Sequence, residues 1–336
     1  MSAAAVWCSL VLSLAEPPFF DTSGRFQRGV KTGASTFYTA VHDGKSLVHH
    51  DAAWRPALLS FAEAEDALAS DGSVAAFLGS VDEHSDSPLA AGDYWLLETS
   101  HLPEPPALLD GAVWEPLRAS AGPSVCDDLE NDEAALLATA RGMAHWHRSV
   151  KFCASCGSGD IETYRDGKGR RCTACGTRFR PRLDPSVIVL VTDSTGERCL
   201  LGRNKRWPAG RYSTLAGFCE FGETLEETVV REISEEAGVT VARDSIEFVA
   251  SQPWLFPRSL MVGFTCKVVE PADDAALTVD ANELEDAKWF DKEFVRQALT
   301  EEREAGKDGP AEEGGFHVPS RVSLARTLIQ NWLDSP

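Results

Sequence analysis

The sequence predicts an α+β protein built in three parts, and three observations carry that prediction. Residues 1 to about 130 mix short apolar runs with polar turns and one helical stretch. Residues 153–175 hold two Cys-x-x-Cys pairs separated by 15 residues. Beyond residue 184, strand-length apolar runs alternate with segments of helical period. The expected domains are therefore 1–147, an α+β domain ending in a linker helix; 148–183, a cysteine module; and 184–336, a mixed sheet flanked by helices in an α/β/α layering.

At 336 residues the chain is long enough for two or three domains, and 43% hydrophobic with 25% charged residues is an ordinary globular composition. The formal net charge of −20 excludes broad electrostatic attachment to nucleic acid or anionic membrane. A small anionic substrate would need local compensation. The apolar stretch 3–15 has no Lys or Arg before it and is too short to cross a bilayer, so it reads as a core strand or helix. Cys8, Cys126, Cys199, Cys219 and Cys266 are scattered, which fits a reducing compartment, and a cytoplasmic location is expected. The last residues, Asp334-Ser335-Pro336, are not the Ser-Lys-Leu address.

In the first part, the pattern predicts a helix over 61–68 and a strand through Tyr94-Trp95-Leu96-Leu97. His49 and His50 read as surface residues rather than ligands. The acidic run 127–133 reads as a solvated linker, and Asn131 as the cap of a helix over 132–147 with Leu136, Leu137, Ala140 and Met143 on its apolar side. In the second part, Cys153, Cys156, Cys172 and Cys175 form C-x2-C-x15-C-x2-C. Two such knuckles complete a tetrahedral four-thiolate zinc site with no open position, which makes the ion structural, one per subunit. Redox-active Cys-x-x-Cys is the alternative, although a single pair would suffice for it. The nearby Lys168, Arg170, Arg171, Arg178, Arg180 and Arg182 meet an acidic neighbour, a substrate phosphate or RNA.

In the third part, 187–191 is a buried strand, 193–197 a turn and 199–201 its hairpin partner. A strand leads through Leu215 into Gly217, and 248–251, 260–269 and 288–290 are further strands. A helix is expected over 320–333 with Val322, Ala325, Leu328, Ile329 and Trp332 inward. The Gly-rich, charged stretch 301–315 reads as a mobile loop.

Residues 217–239 carry the chemistry. They contain seven carboxylates in the pattern G-x5-E-x7-R-E-I-x-E-E-x-G-V. Gly217 and Gly222 allow a tight loop, Glu223 and Thr224 begin a helix, and Gly238 closes it. Leu225, Val229 and Ile233 form its apolar stripe. Glu232, Glu235 and Glu236 share an arc of roughly 100°. Glu236 falls within the stripe, one turn beyond Ile233, and a carboxylate pressed toward a core needs a compensating charge. A hard divalent cation with oxygen ligands would supply it. A second segment, Ser251-Gln252-Pro253-Trp254-Leu255-Phe256-Pro257-Arg258-Ser259, combines prolines, aromatics and hydrogen-bonding side chains. It is either a substrate loop or a rigid loop with Trp254 and Phe256 as core plugs.

The 217–239 pattern resembles the Nudix hydrolase signature at every defining position, and 251–259 resembles the S-Q-P-W-P-F-P-x-S element of its NADH pyrophosphatase branch. The resemblance covers about residues 140–333 closely and the preceding part only in arrangement. It implies a Nudix α/β/α sandwich behind a zinc ribbon and an N-terminal α+β domain. The implied reaction is hydrolysis of NADH, and less selectively NAD⁺, to nicotinamide mononucleotide and AMP with two to three Mg²⁺ or Mn²⁺ ions per site, together with removal of NAD caps from RNA by a homodimer. ADP-ribose or dinucleoside polyphosphates are alternative substrates, and an RNA-cap-binding module is an alternative role. The family also leaves a peroxisomal location open.

By the same resemblance, Glu232, Glu235, Glu236, the Ala216 carbonyl and Glu283 bind metal, with Glu285 a near rival to Glu283. A glutamate of the Glu235/Glu236 pair is the base, and Arg231 orients carboxylates. Phe218 stacks on the nicotinamide; Gln252, Pro253, Trp254, Leu255, Phe256, Pro257, Arg258 and Ser259 form the substrate loop; and Ala325 lines the site. Leu255 replaces the family's first internal proline. Arg180 stands where the family has a tyrosine over the nicotinamide. A guanidinium stacks on a neutral dihydronicotinamide but repels the cationic oxidised ring, so a wider preference for NADH is expected.

Overall fold

The structure is a computed structural model that describes residues 35–81, 87–118, 125, 129–269, 277–304 and 315–335. The apolar stretch 3–15, Cys8 and Cys126 lie outside the described residues. The described residues fall into two compact units divided between Arg182 and Leu183, with Leu255–Pro257 assigned to the first.

The first unit opens with β1 (Thr36–His42), β2 (Lys45–His50), β3 (Trp54–Pro56), β4 (Leu58–Leu59), α1 (Phe61–Ala69), β5 (Val74–Val81), β6 (Gly92–Glu98) and β7 (Val113–Glu115). They form a seven-stranded sheet of order β3-β2-β1-β6-β5, with β4 beside β1 and β7 beside β2. Only β1 and β6 pair in parallel. Helix α1 covers one face and α2 (Asn131–Ser149) the other. That double cover explains the unbroken apolar run in β6: Trp95 and Leu97 pack in one cluster, Tyr94 and Leu96 in the other. The cap of α2 is Glu130 rather than Asn131. The Glu133 carboxylate turns back to accept from the Glu130 amide at 3.1 Å, so part of the acidic run closes a helix end. His50 is exposed beside Trp54, and His49 is half-buried.

The cysteine module adds a three-stranded antiparallel sheet to this unit: β8 (Ile161–Thr163), β9 (Arg170–Cys172) and β10 (Arg178–Phe179). Gly157 and Gly176 adopt positive φ of 75° and 80° after each knuckle, and their amides donate to the Cys153 and Cys172 carbonyls at 2.8 and 2.9 Å.

The second unit is a six-stranded sheet of order β14-β15-β11-β12-β16, with β13 beside β11. Its strands are β11 (Asp184–Thr192), β12 (Arg198–Arg203), β13 (Leu215–Phe218), β14 (Glu247–Trp254), β15 (Ser259–Lys267) and β16 (Asp286–Asp291). Strand β11 shows the layering directly. Val187, Val189 and Val191 pack with Val229 and Ile233 of α3 (Leu225–Ala237). Ile188 and Leu190 point the other way, toward Val295 of α4 (Lys292–Glu304) and Leu328 and Ile329 of α5 (Leu324–Asp334).

Two expectations need correction. Helix α5 begins at Leu324, not at 320, because Ser323 is extended and the Leu324 amide is taken by the Gln252 side chain at 2.8 Å. Val322 therefore precedes the helix. Residues 301–304 are not loop but the last turn of α4. Among the described residues, no helix is long and apolar enough to cross a membrane.

Candidate active site

Helix α3 is cut to length by its ends. The Thr224 hydroxyl accepts from the Glu227 amide at 3.2 Å and the Glu227 carboxylate accepts from the Thr224 amide at 2.8 Å, a reciprocal cap. Glu226 and Glu227 sit in the positive first turn. At the other end Gly238 takes φ 69°, and its amide donates to Ser234. The stripe of Val229, Ile233 and Ala237 is fully buried, and it draws Glu232 and Glu236 down with it to 7% and 5% exposure.

Three carboxylates meet there. Oxygens of Glu232, Glu236 and Glu283 all lie within 4.8 Å of one another. Gly217 makes this possible by close approach rather than by an unusual backbone angle: a Cβ on it would sit 1.8 Å from the Glu232 carboxyl carbon. Gly222, by contrast, needs its freedom for φ 99°. The Glu236 Oε2 is buried without a hydrogen-bond partner. Burial, reinforced by the neighbouring Glu232 and Glu283, pushes the Glu236 carboxyl up to about 8. Burial likewise raises Glu232, against the pull of Arg231. Three oxygen-bearing acids, one of them with a buried, unpartnered oxygen, fit a hard divalent cation.

The Glu283 segment reaches the site through a turn. The Asp280 amide donates to the Glu236 carbonyl at 3.2 Å, and the Glu283 amide to the Asp280 carbonyl at 3.0 Å. Glu285 points elsewhere, paired with Arg203 at 2.9 Å. Geometry thus separates the two rivals.

Arg231 organises the acids. It contacts Glu223 at 2.6 Å and Glu232 and Glu235 at 2.9 Å, and it donates to the Phe218 carbonyl at 2.8 Å. Sequence reasoning placed Glu223 only at the helix start. In the fold its carboxylate is held down to about 2 by the Arg231 guanidinium, helped by the Glu220 amide and the Thr228 hydroxyl. The available signal was an arginine inside an acidic run, which needs a partner. Glu235 stands outside the three-carboxylate cluster, 59% exposed and tied to Arg231. A cavity of about 390 Å³ opens beside the cluster, lined by Ala216, Glu236, Glu283, Lys205, Arg206 and Trp207 among others. Phe218 is 58% exposed, with its ring free to stack.

The 251–259 segment is a hairpin end. Gln252, Pro253 and Trp254 pair with Met261, Leu260 and Ser259. Gln252 is only 5% exposed, and both ends of its amide are spent inside the protein, on the Val322 carbonyl at 2.7 Å and the Leu324 amide at 2.8 Å. It clamps the start of α5 instead of offering hydrogen bonds to a nucleotide. Ser259 is buried, Pro253 is exposed, Trp254 is half-buried and Arg258 pairs with Asp184 at 2.9 Å. Leu255, Phe256 and Pro257 belong to the first unit. There the Leu255 carbonyl accepts from Arg141 at 3.0 Å, and Phe256 packs on the cluster of Val48, Leu117 and Leu137 with the Arg141 guanidinium 4.7 Å from its ring centre. Phe256 is thus a core plug. Ala325 is 2% exposed in the core between sheet and α5, so its methyl does not line an open site. Arg180 is exposed in the first unit, just after β10.

Among the four cysteines, the Cys153–Cys175 and Cys156–Cys172 sulfurs stand 3.6 and 3.7 Å apart, and all four lie within 4.8 Å. No disulfide joins them. Two are buried and two exposed.

Residues 182–308 match the NUDIX domain family. That stretch is a NUDIX domain. Residues 35–146 match the NADH pyrophosphatase-like rudimentary NUDIX domain, so the first unit's large sheet is itself a reduced relative of the Nudix domain. Similar proteins include the NAD-capped RNA hydrolase NUDT12 of Macaca fascicularis, 40% identical over 61% of this chain and 43% of that protein. The NAD-capped RNA hydrolase NudC of Mycobacterium bovis is 38% identical over 61% of this chain and 62% of its own length. The mitochondrial NAD(P)H pyrophosphatase NUDT13 of Mus musculus is 35% identical over 62% and 57%. The matched stretch thus spans less than two thirds of each of these relatives.

Proposed function

We propose that this Nudix chain hydrolyses the diphosphate bridge of NADH and NAD⁺, releasing AMP and the reduced or oxidised nicotinamide mononucleotide respectively, and removes NAD caps from RNA by the same reaction. One observation carries the reading: Glu236, buried with one oxygen unpartnered, meets Glu232 of the same Nudix helix and Glu283 of the turn before β16. The activities for which the relatives are named, on NAD-capped RNA and NAD(P)H, favour the substrate class.

Glu232, Glu236 and Glu283 would hold Mg²⁺ or Mn²⁺, with Glu235 and the Ala216 carbonyl completing the set. Bound there, the ions would neutralise phosphate charge and acidify the attacking water. Arg231 keeps Glu232 and Glu235 oriented through its 2.9 Å contacts. A carboxylate of the Glu235/Glu236 pair takes up the water's proton. The exposed Phe218 ring offers a face to the nicotinamide. We assign Cys153, Cys156, Cys172 and Cys175 to one structural zinc, giving three parts at 1–147, 148–183 and 184–336, and the working form to a homodimer in the cytoplasm.

The test is to incubate the purified chain with Mn²⁺ and, separately, NADH, NAD⁺, ADP-ribose and NAD-capped RNA, and to identify products by mass. Reduced nicotinamide mononucleotide and AMP from NADH, at a kcat/KM above that for ADP-ribose, are expected. Cleavage of ADP-ribose alone would point to the other Nudix substrate class.

A further inference from the structure

The cavity beside the carboxylates has a cationic wall that the proposed chemistry leaves unused. Lys205 and Arg206, both exposed, line the same cavity as Glu236 and Glu283. Among the described residues, neither carries an ion pair. Arg231 differs, being saturated by Glu223, Glu232 and Glu235. Arg203 also differs, paired with Glu285.

The segment that carries the two cations is locked in place. Arg203 donates to the Trp207 and Pro208 carbonyls at 3.3 and 2.5 Å. The Asn204 side chain donates to the Glu283 carbonyl at 2.8 Å and accepts from the Arg206 amide at 3.0 Å. One amide side chain thus ties the Lys205–Arg206 backbone to the backbone of a metal-binding candidate. Trp207, half-buried in the same wall, has the Arg211 guanidinium 5.5 Å from its ring centre.

In a chain of net charge −20, two cations beside a carboxylate cluster would ordinarily fold onto it. Here the backbone is held while the charged ends remain uncommitted, which is preorganisation for an anion. Metal ions held by Glu232, Glu236 and Glu283 would draw the cleaved diphosphate to the carboxylate side. We propose that Lys205 and Arg206 bind a second phosphate, one carried on the substrate's ribose outside the diphosphate. A 2′-phosphate of a phosphorylated dinucleotide and the 3′-phosphodiester of a capped RNA share that chemistry. The inference rests on the dinucleotide hydrolase reading.

The test compares wild type with the Lys205→Ala/Arg206→Ala double variant on NADH, NADPH and NAD-capped RNA. The kcat/KM ratio of a phosphorylated substrate to NADH should fall about tenfold or more, the scale of lost charge-assisted hydrogen bonds. A fall for NADPH alone assigns the 2′-phosphate; a fall for RNA alone assigns the 3′-phosphodiester. Equal losses on all three substrates, or no loss on any, would overturn the proposal. Calorimetry without metal gives an independent readout. Wild type should bind 2′,5′-ADP or 3′,5′-ADP about tenfold more tightly than AMP, and the variant should not; equal binding by wild type would also overturn it. A wild-type chain that cleaves no dinucleotide would refute the hydrolase reading, while the binding comparison would still decide the fate of the cation pair.

Discussion

Glu236 is buried because it sits one turn beyond Ile233 on the stripe that joins α3 to the sheet. Its folded pKa of about 8 lies above the ordinary value of 4.5. The folded chain therefore keeps a proton on this group between those values, and the unfolded chain does not. The sign follows: without metal, this group's contribution is most favourable below about pH 4.5 and is lost as pH rises through about 8. Glu236→Gln removes that dependence. The metal-free variant should exceed metal-free wild type in stability at pH 8 by about 2 kcal/mol or more, with a smaller gap at pH 5, in urea titrations. Its Mn²⁺-supported turnover should fall more than about tenfold, over 1.4 kcal/mol of barrier. A variant that matches wild type in both respects would remove Glu236 from the site. Gly217 is the other residue whose meaning is steric, since Glu232 occupies the space of its missing side chain.

Helix α3 was legible because its boundaries are local chemistry. Thr224 and Glu227 cap one end and Gly238 the other, and each bond joins residues within a few positions. Thr224→Ala should lower stability by about 1 kcal/mol, read as a lower urea midpoint with unchanged slope. An unchanged midpoint would mean that the reciprocal cap contributes nothing. Helix α5 was misplaced at its start for the opposite reason. Its first amide is satisfied by Gln252, 72 positions away, and nothing near 320 in sequence signals that. The same distance effect turned Gln252 from an expected substrate contact into a structural clamp. In α2 the error was a single position, because Glu130 can cap where an asparagine is the commoner choice.

At the scale of the molecule, the first unit joins a large sheet closed by α1 and α2 to a small module with few buried apolar side chains of its own. A metal ion on the four sulfurs, which lie within 4.8 Å of one another, would supply what that module lacks in core. Purified protein should contain one zinc per chain by mass spectrometry. Cys172→Ser, at a fully buried ligand position, should lose the metal and melt at a lower temperature. Retention of full zinc content in that variant would exclude the four-cysteine assignment. Residues 35–146, which match a rudimentary Nudix domain, resemble the family by motif reading only in arrangement, because that part has no dense acidic signature to mark it.

Sequence alone determined the acidic helix, the cysteine spacing and the alternation of buried strands, since these depend on periodicity and on contacts between near neighbours. Tertiary structure decided which carboxylates share a site. Glu283 joins Glu232 and Glu236, while Glu235 is drawn to Arg231 and Glu285 to Arg203. It also spends the Gln252 amide on the start of α5 and places Phe256 and Ala325 against hydrophobic clusters. The physical reason is that a side chain's role follows from what fills the space around it, and that space is enclosed by strands and helices far apart along the chain.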